Sequence, residues 1–105
     1  MNIAQLKKEI TKYHIEENCC LIEPEMCIEG ALCIIRDNNE NGWRIILNER
    51  GNYIHNEFFY SEHDACIFFL KLIFEEPTYH KMFKGKNYAE FLIYLEKIAK
   101  ENGFV

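Results

Sequence analysis

The chain has 105 residues, 49% hydrophobic and 14% aromatic, which is enough apolar side chain for one hydrophobic core and too little length for two, so residues 1-105 are expected to form a single domain. Its 12 basic residues against 17 acidic ones give a net charge of −5, without the clustered cations that phosphate-backbone binding requires, and direct nucleic-acid binding is disfavoured. The longest apolar run, Ala65 to Phe74, is interrupted by Lys71 and too short to span a bilayer, and the mixed opening Met1 to Glu9 holds no secretory apolar segment, so a cytoplasmic chain without membrane contact is expected.

Ile3, Leu6, Ile10 and Tyr13 recur at helical spacing opposite Lys7, Lys8, Glu9 and Lys12, predicting an amphipathic helix that ends before Asn18. Cys19 to Ile22 reads as a short strand closed by Glu23-Pro24. Ala31 to Arg36 is apolar and β-branched and runs into the turn-forming Asp37 to Gly42. Trp43 to Asn48 then resumes as strand, which makes a hairpin. Glu49 to Asn52 supplies a second turn, with Gly51 or Asn52 able to take a positive φ, and Tyr53 to Phe59 returns as the next strand. Ser61 followed by Glu62 and Asp64 has the form of a helix N-terminus. The run Ala65 to Phe74 is apolar around nearly the whole circumference, so this helix is expected to be covered on more than one side and to be the central element. Pro77 marks its limit, and Thr78 to Lys86 is irregular. Tyr88, Phe91, Leu92, Leu95, Ile98 and Ala99 then keep helical spacing up to Gly103. The sum is an α+β two-layer domain, an antiparallel three- to four-stranded meander packed against helices in the order α-(β)-β-β-β-α-α.

Candidate chemistry is sparse. Cys19, Cys20, Cys27, Cys33 and Cys66 are odd in number and lack the paired Cys-x-x-Cys spacing of a zinc site, so they read as reduced core thiols. Cys66 comes nearest to a nucleophile by its place in a helix, but Ala65, Ile67 and Phe68 surround it in sequence. His14, His55, His63 and His80 show no i, i+4 ligand pairing, and His55 with Glu57 on one strand face lacks a third catalytic group. No phosphate loop, H-E-x-x-H or G-x-S-x-G is present. The chain is therefore read as no enzyme, with no catalytic residue, no metal ligand and no cofactor. The charge is unevenly spread, in contrast. From Tyr13 to Ile35 stand Glu16, Glu17, Glu23, Glu25 and Glu29 with no Lys or Arg, and a patch of one sign attracts a basic protein partner. Trp43, Tyr53, Phe59, Tyr60 and Tyr79 are more aromatics than a small core hides easily, and some are candidate interface anchors.

The run Gly42-Trp43-Arg44-Ile45-Ile46-Leu47-Asn48-Glu49-Arg50-Gly51, followed by Phe58-Phe59-Tyr60-Ser61-Glu62-His63-Asp64-Ala65-Cys66 and an apolar helix, resembles small bacterial immunity proteins that accompany polymorphic toxins and contact-dependent growth inhibition toxins. The likeness covers roughly residues 42 to 75. It implies a non-enzymatic inhibitor in the cytosol of the producing cell, blocking the active site of one cognate toxin C-terminal domain, commonly a basic nuclease. No fixed set of binding residues carries over from such divergent families. On the acidic and aromatic residues of the meander and its loops, toxin binding is expected at Glu23, Glu25, Glu29, Asp37, Glu40, Glu57 and Tyr60. The sequence assigns no oligomeric state. The alternative is a small cysteine/histidine metal-binding or thiol-dependent regulatory protein, which would hold zinc or a low-pKa thiol at Cys19, Cys20 or Cys66.

Overall fold

The computed structural model describes residues 1–13, 20–76 and 88–104. Helix α1 (Ile3–Lys12) precedes strands β1 (Cys20–Ile22), β2 (Leu32–Asp37), β3 (Gly42–Glu49) and β4 (Asn52–Phe59), and helices α2 (Glu62–Glu75) and α3 (Tyr88–Asn102) follow. This is the α+β order expected from the periodicities. His14, Cys19, Pro77 and the irregular stretch Thr78 to Lys86 lie outside the described residues.

Each boundary has a local cause. Asn2 opens α1 with a reciprocal cap, its side chain accepting from the Gln5 N–H while the Gln5 side chain accepts from the Asn2 N–H, both at 2.9 Å. Ser61 opens α2 by accepting the Asp64 N–H at 3.1 Å, as its sequence indicated. At the far end of α3, Gly103 takes φ +76° and lets the Phe104 N–H reach back to the Ala99 carbonyl at 3.0 Å, closing the last turn. Between β3 and β4 the residues at positive φ are Arg50 (53°) and Gly51 (78°), so the two-residue turn matches the right-handed twist of the strands.

The sheet order is β1-β2-β3-β4. The meander β2-β3-β4 is antiparallel, while β1 lies parallel to β2 with Cys20 opposite Leu32 and Ile22 opposite Ile34. An extra residue in β4, Ile54, sits between the Asn48–Tyr53 and Leu47–His55 pairs and makes a bulge. The register sorts side chains onto two sides. Leu32, Ile34, Ile45 and Leu47 face the helices and are buried, and His55 and Glu57 of β4 share that side. Arg44, Ile46, Asn56 and Phe58 face the other way, half-buried or exposed.

Helix α2 lies on β2, β3 and β4 and also touches α1 and α3, which is why it is apolar all round. Its Ala65, Cys66, Phe69, Leu70 and Ile73 are buried. The α1 and α3 helices meet through Tyr13, whose ring centroid is 5.3 Å from Phe91 and 5.6 Å from Tyr94. The Ile3 N–H donates to the Glu62 carboxylate at 2.8 Å, tying the start of α1 to the start of α2. Among the described residues no helix is long and apolar enough to cross a membrane.

Candidate binding surface

Because β1 runs parallel to β2, the chain leaving Ile22 must travel back along β2 before entering it at Leu32. Residues 23–31 make that return. Glu23 holds φ +47°, an uncommon conformation for a residue with a side chain, while its N–H donates to the Ile34 carbonyl at 2.8 Å and so extends the parallel ladder. The return crosses the side of β2 turned away from the helices and covers Cys33, whose thiol donates to the Ala31 carbonyl at 3.6 Å and meets the Cys27 thiol. Its far end is pinned to the neighbouring hairpin. The Gly30 N–H donates to the Asn48 carbonyl at 2.8 Å, and the Glu29 carboxylate accepts the Arg50 N–H.

With both feet fixed, the crest of the connection projects outward. Glu23, Glu25 and Glu29 are exposed, and between them Met26 and Ile28 are 77% and 54% exposed. Apolar side chains flanked by carboxylates and held on a pinned backbone suit association with a partner that is cationic and has an apolar recess. Met26 and Ile28 were not singled out from the sequence, because one apolar residue in a loop carries no periodic signal of its exposure.

The β2–β3 hairpin tip is built differently. Asp37 accepts the N–H groups of Asn39 and Glu40 at 3.1 and 3.2 Å and pairs with the Arg44 guanidinium at 3.1 Å. The Glu40 N–H, with Arg44 beside it, holds the Asp37 carboxyl below its usual value. Arg44 also donates to Asn56 at 2.9 Å and sits 5.3 Å from the Phe58 ring. On the opposite side of the hairpin, Arg36 donates to Asn41 at 2.7 Å and lies 4.3 Å above the Trp43 ring. Asp37 is thus a turn-forming, neutralised carboxylate, and Glu40 alone offers a free negative charge at this tip.

The remaining expected residues are dispersed. Tyr60, 77% exposed, leans edge-on against Phe58 at 4.7 Å, near the hairpin tip. Glu57 is exposed on the helix-facing side of β4. Asp37 and Leu32 stand at opposite ends of β2, about 17 Å apart at ~3.3 Å per residue, so the Asp37–Glu40 tip and the Glu29–Arg50 contact occupy opposite ends of the sheet. The structure gathers Glu23, Glu25 and Glu29 in one connection and leaves Asp37, Glu40, Tyr60 and Glu57 elsewhere. Of the aromatic anchor candidates, Tyr53 and Tyr60 are exposed, Trp43 and Phe59 pack against the core, and Tyr79 lies outside the described residues.

Cys33 and Cys66 are protected rather than activated. Burial pushes the Cys66 thiol up to about 12, and the Glu62 carboxylate adds to the shift. Burial likewise raises Cys33 to about 12, with the adjoining Cys27 thiol contributing. Cys20 is buried and Cys27 half-buried. Among the described residues no three of His, Cys, Asp and Glu are gathered so as to hold a metal ion. Comparison with protein-family models, with curated proteins and with solved structures finds no match to this chain.

Proposed function

We propose that this protein is a non-enzymatic inhibitor that binds and neutralises a cognate basic toxin domain of the nuclease class in the cytosol of the producing cell. The observation that carries the reading is the β1–β2 connection, where three carboxylates frame two exposed apolar side chains on a backbone pinned at both ends. A nuclease cleft is cationic because it holds phosphate, and an acidic surface enters it with fast, electrostatically steered association. Met26 and Ile28 supply the desolvated contact that slows dissociation, the role that buried anchors play at interfaces. The net charge of −5 and the resemblance of roughly residues 42 to 75 to immunity proteins support the same reading.

The test is co-expression with the C-terminal domain of a large secreted protein encoded beside this chain. The wild-type chain restores growth to cells producing that domain. A variant with Glu23→Lys, Glu25→Lys and Met26→Asp, shown to be folded by circular dichroism, fails to do so. No protection by the wild type overturns the function, and full protection by the variant overturns the surface.

A further inference from the structure

Among the described residues strand β4 pairs with β3 on one side only and is an edge of the sheet, and alternate N–H and C=O groups of an antiparallel strand point away from its neighbour. Its sequence, Asn52-Tyr53-Ile54-His55-Asn56-Glu57-Phe58-Phe59, contains neither the lysine nor the proline that commonly blunts an edge. The bulge at Ile54 interrupts one end and leaves a regular stretch from His55 to Phe59. Among the described residues, α2 covers this strand at Phe59, against Phe68, and leaves its His55–Glu57 stretch open. Ile45 and Leu47 are buried on the helix-facing side, while their partners Glu57 and His55 are exposed and half-buried. Among the described residues neither the His55 imidazole nor the Glu57 carboxylate has an ion pair or a side-chain hydrogen bond.

We propose that a second copy of this chain occupies the edge, through antiparallel β4–β4 pairing about a two-fold axis at Asn56. In that register His55 faces Glu57 of the second copy, Glu57 faces His55 of the second copy, and Asn56 faces its own equivalent. The side chains favour this axis. Moved one residue toward the turn, the axis sets His55 against His55 and leaves Glu57 facing Tyr53 in place of an imidazole N–H donor, and moved one residue the other way it sets the carboxylates of Glu57 and Glu57 against each other. The product is one continuous sheet, β1-β2-β3-β4-β4-β3-β2-β1, with each β1–β2 connection on the far side of its protomer and free to bind.

Sedimentation velocity from micromolar to millimolar concentration tests the pairing. The wild-type chain is expected to form a dimer, and Glu57→Lys or His55→Glu alone to weaken it by about tenfold or more, since the first removes the carboxylate that the imidazole faces and the second sets two carboxylates face to face. An equimolar mixture of the two variants recovers the dimer, because the introduced lysine of one faces the introduced glutamate of the other. If either variant folds poorly by circular dichroism, Glu57→Arg and His55→Asp make the same exchange. A wild-type chain that stays monomeric, single variants that dimerise as the wild type does, or a mixture that stays monomeric overturns the proposal.

Discussion

Arg50 is a side-chain-bearing residue in the left-handed region at φ 53°, a conformation that costs most L-residues about 1 kcal/mol. The Glu29 carboxylate on its N–H offsets part of that cost and ties the β1–β2 connection to the β3–β4 turn. Asn followed by Gly is the favoured pair for such a turn, so Arg50→Asn is expected to stabilise the protein by about 0.5–1 kcal/mol, read as a higher denaturant midpoint. The buried thiols give a pH dependence of defined sign. Cys33 and Cys66 ionise near 9.0 when unfolded and at about 12 when folded, so between those values the unfolded chain has released protons that the folded chain keeps. Their contribution is full below pH 9.0 and is lost as pH rises toward about 12. The denaturation midpoint should fall across that window, and Cys66→Ala should make the fall shallower. In thiol labelling of the native protein, Cys27 should react ahead of Cys33 and Cys66, which react only on unfolding.

Among the elements, the β2–β3 hairpin and the β1–β2 connection both carry acids, yet they behave differently. Asp37 closes the turn and neutralises Arg44, so Asp37→Asn should lower the melting temperature, whereas Glu40→Lys at the exposed tip should leave it nearly unchanged. Sequence alone does not separate the two residues, since the ion pair joins positions seven apart and only the strand register brings them together. The helices were legible because their apolar positions recur at 3.6-residue spacing, and the meander because Asp37–Gly42 and Glu49–Asn52 are turn-forming. The direction of β1 was not. Three residues, Cys20-Leu21-Ile22, carry no signal for parallel pairing, and the nine-residue return, 23–31, is shorter than the crossovers that normally announce it. The acidic stretch Glu23–Glu29 was visible as a run without cations, while its apolar crest depends on a backbone path that only the folded sheet defines.

At the scale of the whole molecule, a radius of gyration of 13.0 Å is that of a close-packed chain of this length, about 13 Å for 100 residues. Asp37 is paired with Arg44, whereas Glu23, Glu25 and Glu29 project with Met26 and Ile28 from the β1–β2 connection, at the opposite margin of the described sheet from β4. The proposed recognition of a cationic cleft and the proposed pairing through β4 would therefore use separate margins of the molecule. The most direct measurement of the proposed function is the association rate of the purified chain with a cognate basic toxin domain, followed across a range of salt concentrations. An acidic docking surface predicts a rate that falls by about tenfold or more from low to high salt, with Glu23→Lys plus Glu25→Lys slowing it at low salt. A rate indifferent both to salt and to those two substitutions would contradict the account.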